Sequence, residues 1–468
     1  MQYDSASSCT KNFYLYSVKS AFIKEHRLLI IILCVALIIR LLLFIRFEPW
    51  NTDMLNRVIL IFDSLGYHQL ALCIKNEFSF CGNAFRTPAY PFFVSLVYLI
   101  FGESPKYVLF LQIFINLGSI MLMYRCGKLL FGMAAGNIAA FLFSIDLHHI
   151  VYIYYLLTET LYTFIFLSAL YLFLLSIKQN RLVQLCIAGI LLGISTLIRP
   201  ISQYYVLCVA VFTFIYFFMQ NKKKAFSYTF ILLACYYVTI APWCLRNYKL
   251  YGAYKVSNIQ GYNLLFWNAS YYEAKRQHKT IEEINKSFET ELQKRGWRYD
   301  SNPFLKEKLD GEMANEILSA HFPDYLKTHL TGTVKIHLSL GTQSLTDVLR
   351  LPAKKFTEEE KYTNGVFVLI QKFFKQKTIY EILLGLYVAL FLAVVYSFAA
   401  IGVWRMIKER QTLLMLFLLG SAGYFVLISG IISYARYRLP SMPFYILLAS
   451  CGMVWCLQQI KEKKNKTV

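Results

Sequence analysis

Charge is scarce in this sequence. Only 16% of its 468 residues are Asp, Glu, Lys or Arg, against about 25% in an ordinary soluble domain. Acidic residues are the scarcer sign, 27 against 48 basic ones. No glycine-rich motif of the Walker or dinucleotide type is present, so nothing points to a nucleotide. The eleven cysteines form no metal-like cluster, and most lie in apolar runs, where cysteine acts as a small hydrophobe. There is no internal repeat, low-complexity tract or Pro-rich linker. The missing repeat weighs against a secondary transporter, since many of those are built from two related halves. Together these shortages exclude a soluble enzyme, a disordered chain and a fibrous protein.

What the chain does have is apolar length. Hydrophobic residues make up 57% and aromatics 17%. A membrane-crossing helix needs about 20 apolar residues. Candidate spans lie at 28–45, 107–124, 129–147, 152–177, 182–198, 200–219, 226–243, 379–404, 412–433 and 439–459. The first is followed by Arg46 and no small-residue cleavage site, so it reads as a retained span. The run 88–101 opens Pro88-Ala89-Tyr90-Pro91 and has a length that suits a helix lying on the membrane surface. The expected fold is an all-α polytopic membrane protein with ten spans.

Charge placement supports that register. With 88–101 on the surface, the N-terminal segment, Arg125/Lys128, Lys178/Arg181, Lys222 to Lys224, Arg405/Lys408/Arg410 and Lys461 to Lys466 share one side. They hold 18 basic residues against four acidic ones. Loop Lys and Arg mark the cytoplasmic face. The net charge of +21 is thereby explained by topology, and a nucleic-acid partner is not needed. The expected organisation is a cytoplasmic segment 1–27, a transmembrane core 28–243 with a first external loop 46–106, an extracytoplasmic subdomain 244–378, C-terminal spans 379–459 and a basic tail 460–468. The subdomain shows a helical pattern at Ile281, Ile284, Phe288 and Leu292, and a second from Met313 to Leu330. Cys73 and Cys81 fall together in the first external loop, where a disulfide is one option that spacing alone leaves open.

Several polar residues sit where a membrane protein normally avoids them. Asp53, Asp63, Tyr67, His68 and Arg86 lie in the first external loop. Glu159, Arg199, Arg246, Arg436 and Arg438 lie at outer ends of spans, as do His148 and His149; Arg40 is embedded in the first span. Intramembrane charge usually faces an interior or a watery cavity. One arginine could snorkel to headgroups, but several at one face suggest a basic pocket for an anion, and arginine binds phosphate bidentately. A carboxylate nearby could deprotonate an attacking hydroxyl. Asp63 and Asp53 are candidates, and each could equally be a helix N-cap. Arg40 is expected to pair with Glu159 inside the bundle.

The motifs Asp63-Ser64-Leu65-Gly66-Tyr67-His68-Gln69-Leu70-Ala71, Arg86-Thr87-Pro88-Ala89-Tyr90-Pro91 and Phe101-Gly102 resemble the start of the bacterial C-type (GT-C) integral-membrane glycosyltransferases. These are relatives of aminoarabinose transferase and protein O-mannosyltransferase, of the family-39 kind. Thr158-Glu159-Thr160, the stretch Gly193 to Pro200, Ala241 to Tyr248, Gly261-Tyr262-Asn263-Leu264 and Arg436-Tyr437-Arg438-Leu439-Pro440 fit the same order. The resemblance implies a sugar donor on a polyprenyl phosphate, a glycan, lipid or protein acceptor, inversion at the anomeric carbon, and a multi-pass plasma-membrane location. It implies Asp63 as general base, with Arg86 on the lipid phosphate. Tyr67, His68, Glu159, Arg199, Arg246, Asn263, Arg436 and Arg438 complete the expected substrate-binding set. No cofactor is expected. Many relatives carry Asp-Glu where this chain has Asp63-Ser64, which weakens a divalent-metal site without closing the question. A transporter or flippase of a lipid-linked anionic glycan is the rival reading.

Overall fold

The computed structural model describes residues 5–61, 63–298, 302–353, 377–431 and 434–466, with side chains from His26 to Asn465. The described residues form helices and turns and contain no strand. Among the described residues, eight helices are long and apolar enough to cross a membrane: His26–Phe47, Pro105–Phe131, Glu159–Gln179, Pro200–Phe218, Lys222–Tyr251, Ile379–Lys408, Thr412–Ser429 and Met442–Asn465. Neither of the remaining two expected spans is a single helix of crossing length. Leu182–Ile198 is a short apolar helix, and the third span breaks into Met133–Ile145 and Leu147–Tyr154, bent by 60°. The break falls at Asp146, whose side chain accepts from the His148 backbone N–H at 3.0 Å and from His149 Nδ1 at 2.9 Å. The preceding span is correspondingly longer than 107–124.

Small residues let these helices touch. A side chain at Gly402 would lie 2.1 Å from the Leu448 carbonyl, and one at Gly452 would lie 2.1 Å from that of Phe398. The backbones of Ile379–Lys408 and Met442–Lys466 therefore meet directly, the small-residue packing that replaces the hydrophobic effect inside lipid.

Arg40 is fully buried, but its partner differs from the expected one. It donates to Asn116 Oδ1 at 2.8 Å, Ala36 O at 3.1 Å and Ser144 O at 3.2 Å. Glu159 lies elsewhere, among other arginines. A guanidinium has five donors, and neutral carbonyl and amide oxygens satisfy three of its bonds here.

Outside the spans, Ala89–Phe101 is the expected short helix. The segment after Tyr251 folds around a second apolar cluster that includes Phe266, Tyr272, Ile284, Phe288, Leu292 and Met313. The Met313-to-Leu330 pattern divides into two helices, Pro303–Ala320 and Phe322–Leu338. Pro323 in the first turn of the second accounts for the break, since proline cannot continue a preceding helix.

Candidate active site

The first loop brings its acidic residue to the bundle at the start of the helix Asp63–Glu77. The Asp63 carboxylate does not cap that helix in the way a side-chain cap would. Its Oδ1 accepts from Arg86 Nη2 at 3.4 Å and its Oδ2 from Arg436 Nη1 at 3.2 Å. Arg436 also donates through Nε to Glu159 Oε1. The same Glu159 oxygen lies 2.8 Å from Arg199 Nη1. Two carboxylates and three arginines thus form one chain of charge, Arg86–Asp63–Arg436–Glu159–Arg199. Glu159 is 2% exposed and Asp63 is 47% exposed, so the inner carboxylate anchors and the outer one faces an opening.

Aromatic rings hold the guanidinium groups. Arg86 stacks over Tyr67 at 4.8 Å from the ring centroid, and Arg199 over Tyr162 at 5.8 Å. Such contacts contribute roughly 0.5–2 kcal/mol. Tyr67 meets Tyr90 edge-on, and Tyr90 donates to Gln112 Oε1 at 3.1 Å. Gln112 in turn donates to the Ile153 and Tyr155 carbonyls. The cationic cluster is therefore tied through side chains to the end of the short helix that follows the bend of the third span.

Asp63, Arg86, Arg199 and Arg436 line a cavity of about 480 Å³. Its other walls mix neutral polar and aromatic side chains, among them Gln203, Tyr204, Gln260, Tyr262, Asn263, Trp267, Asn268 and Tyr437, with aliphatic ones such as Ile198, Ile201, Leu264 and Ile428. Burial raises the Tyr262 and Tyr437 phenols above their ordinary range, so both stay as hydroxyls. The arginines suit an anion, the amides and hydroxyls a neutral polar group, and the aliphatic side chains an apolar one.

The family model of dolichyl-phosphate-mannose-protein mannosyltransferases matches residues 86–245. No curated protein matches the sequence. The oligosaccharyltransferase of Archaeoglobus fulgidus, solved with an inhibitory peptide and a dolichol-phosphate, is 14% identical. It superposes with a TM-score of 0.53 over 95% of this chain and 52% of its own. Its apo form is 15% identical, with a TM-score of 0.52 over 93% of this chain and 52% of that one. The chain thus shares the fold of this oligosaccharyltransferase. It spans about half the length of that relative. ArnT from Cupriavidus metallidurans, solved with undecaprenyl phosphate, is 13% identical with a TM-score of 0.39, over 92% of this chain and 78% of that one.

Six of the expected site residues line the cavity: Asp63, Tyr67, Arg86, Arg199, Asn263 and Arg436. Glu159 supports two of them from behind. The others have different partners. Asp53 is exposed and pairs with Arg57 at 2.6 Å; the neighbouring cap is Asn51. His68 Nδ1 bonds Tyr98 Oη at 2.8 Å. Arg246 donates to the Phe80 and Gly82 carbonyls, both at 3.0 Å, and stacks 4.7 Å from Trp243. Arg438 is 2% exposed and donates to the carbonyls of Ile336, His337 and Ser339. Arg246 and Arg438 thus bind backbone, and the loop that Arg246 holds is the one leading to Arg86. That loop is closed by a Cys73–Cys81 disulfide with Cα atoms 6.2 Å apart. With Glu77 these cysteines make the one grouping of potential metal ligands found among the described residues, but the disulfide takes up both sulfurs. Tyr204, Gln260, Trp267 and Asn268 were not singled out in the sequence. Tyr262 sits beside Asn263 in a motif that was, and that adjacency is the available signal.

Proposed function

We propose that the protein is an integral-membrane glycosyltransferase. It moves a hexosyl or pentosyl group from a polyprenyl-phosphate donor to an acceptor hydroxyl on the extracytoplasmic side, with inversion. The observation that carries this reading is Asp63 sharing one open cavity with Arg86, Arg199 and Arg436. The shared fold is consistent with it, and the archaeal relative was captured with a dolichol-phosphate.

The lipid phosphate would take the donors of Arg86 and Arg436 that Asp63 now uses. Guanidinium groups stay charged at any working pH, so they stabilise the negative charge that builds on the departing phosphate. Asp63, released from part of its pairing, accepts the acceptor's proton. The acceptor oxygen bonds to the anomeric carbon as the bond from that carbon to the phosphate oxygen breaks. The polyprenyl phosphate leaves with the electron pair. Attack and departure on opposite faces invert the centre. The neutral wall of Tyr262, Asn263 and Trp267 offers rings and amides to sugar hydroxyls.

Binding of undecaprenyl phosphate to the purified, reconstituted protein tests the donor half of the scheme. Arg86→Ala and Arg436→Ala should each weaken it at least tenfold. Movement of a lipid-linked glycan across the bilayer with its glycosidic bond intact would replace the transferase reading by the transporter one.

A further inference from the structure

The helix Phe322–Leu338 lies within the segment 244–378 that sequence places wholly outside the membrane. Its contacts are with the interior of the bundle. At its C-terminal end, the Tyr396 hydroxyl donates to the His337 carbonyl at 3.3 Å, and His337 Nε2 bonds Tyr445 Oη at 2.7 Å. Tyr396 stands 17 residues along the span Ile379–Lys408, which is about 26 Å along the helix axis. No charged residue occurs between Glu381 and Arg405, and Tyr396 falls well inside that stretch. A hydrocarbon core is about 30 Å thick. The end of Phe322–Leu338 therefore sits at bilayer depth.

Its two faces differ. One face packs on protein: Thr328, Gly332 and Ile336 are buried. A side chain at Gly332 would meet the Gly430 carbonyl at 2.7 Å. The opposite face is a stripe at every fourth position, Phe322, Leu326, Leu330, Val334 and Leu338, from 41% to 63% exposed. At 3.6 residues per turn each step of four advances about 40°, so the five positions form one broad apolar face that winds along the helix. The stripe continues the outward faces of the neighbouring spans, where Leu383, Leu386, Leu390, Leu416 and Leu427 are exposed as well.

The helix end also meets the demand that lipid makes on backbone. Carbonyls left over at a helix C-terminus need partners, and hydrocarbon supplies none. Arg438 donates to those of Ile336, His337 and Ser339 at 2.9, 3.1 and 2.8 Å. A cation at a helix C-terminus is also favoured by the helix dipole. A buried arginine bonded to these three oxygens is expected for a helix that ends away from water.

We propose that Phe322–Leu338 is a membrane-inserted helix whose apolar stripe packs against lipid acyl chains. Its N-terminal half, with Asp324 and Lys327, stays at the water interface and its C-terminal turn dips into the bilayer, where the exposed Lys335 has a stem long enough to snorkel back toward the interface. The protein-facing side reaches the active-site wall: Tyr325 donates to Asn268 Oδ1 at 3.2 Å, and His329 Nε2 bonds the Leu427 carbonyl at 2.8 Å. Lipid on one side and the cavity wall on the other are thus separated by a single helix.

Photo-crosslinking in the full chain tests this. Benzoylphenylalanine is placed at Leu326, Leu330 or Val334, with Lys308, an exposed residue of the subdomain, as the water-side control. The protein is reconstituted with phosphatidylcholine labelled in its acyl chains. The stripe positions should capture labelled lipid at least tenfold more than position 308. Equal, low capture at all four would overturn the proposal, as would capture of a second chain or of another segment of the same chain in place of lipid. An independent arm uses Leu330→Cys and Val334→Cys with a membrane-impermeant maleimide, the unmodified chain serving as background. Both should react at least tenfold more slowly than Lys308→Cys in liposomes. Equal rates would place the stripe in water. Neither arm reads sugar transfer, so failure here leaves the proposed reaction standing, and failure of that reaction leaves this helix where it is.

Discussion

Asp63 and Arg436 are 373 positions apart in the chain, and their side chains meet at 3.2 Å. The contact joins the first external loop to the segment before the last span. It puts the only carboxylate that lines the cavity among the described residues against a cation that a second carboxylate, Glu159, already holds. Neither residue has this setting by its local sequence alone. The bundle supplies it, and the arrangement leaves Asp63 with partners that an incoming phosphate can take over.

Replacing Asp63 by Asn should abolish transfer while leaving the fold and donor binding intact. A positioned base contributes about 10²–10⁴ in rate, and the amide keeps the shape without accepting the proton. Removing the negative charge also frees Arg86 and Arg436, so donor affinity should hold or rise. The same change at Asp53, whose contact is with the exposed Arg57, should cost little. Transfer from a polyprenyl-phosphate sugar pool separates the two. Normal turnover of the Asp63 variant would remove the central residue of the scheme.

Glu159→Gln should lower thermal stability. Its carboxylate is buried between Arg199 and Arg436, and breaking a buried ion pair from one side costs roughly 3–5 kcal/mol because a charge is left without a partner. Denaturation of the purified variant, followed by circular dichroism, should show a clear downward shift. An unchanged midpoint would mean that water already compensates the two arginines.

The Cys73–Cys81 bond closes a short loop, with a sequence separation of eight. The chain-entropy relation gives about 2–3 kcal/mol for a loop of this size. Cys81→Ser should therefore loosen the segment that Arg246 grips at Phe80 and Gly82, and protease cleavage within 78–85 should quicken severalfold. Cleavage rates that match the unmodified chain would show that Arg246 holds the loop without the disulfide.

Much of the fold was legible because apolar runs announce spans directly, and charge parity sets their register. The site was partly legible for a related reason: Glu159, Arg199 and Arg436 are charges at the ends of apolar stretches, and Asp63 and Arg86 lie in a loop between two of them. The rest was hidden by the kind of bond involved. Arg40, Arg246 and Arg438 bind mostly backbone carbonyls, and a carbonyl has no residue type to read. The bend at Asp146 rests on a side-chain bond to His149 that spacing alone does not announce. Phe322–Leu338 was disguised by Asp324, Lys327 and Lys335, which dilute its mean hydropathy while the lipid-facing stripe remains apolar.

Charge parity predicts that both termini are cytoplasmic and that Lys294 is external. Lys294 is well exposed, at 71% of its side chain. Lys294→Cys should react with a membrane-impermeant maleimide in intact cells. Reaction only after permeabilisation would reverse the orientation and move the proposed reaction to the cytoplasmic face.

Arg86 and Arg438 should separate by phenotype, although sequence placed both on the donor. Arg86 lines the cavity and touches Asp63 and the Tyr67 ring. Its loss removes a group proposed to bind phosphate but leaves little buried polarity unsatisfied. Arg86→Ala should therefore weaken undecaprenyl phosphate binding at least tenfold with a thermal midpoint close to normal. Arg438 touches three backbone carbonyls and is buried. Unsatisfied buried acceptors cost about 1–3 kcal/mol each, so Arg438→Ala should lower the midpoint strongly. The fraction that stays folded should bind donor with near-normal affinity, because no donor contact has been removed. Titration of both variants with undecaprenyl phosphate, read beside their melting curves, makes the comparison. If Arg438→Ala loses affinity at full stability, the arginine belongs to the donor site after all, and the helix end it caps must find its partners in water.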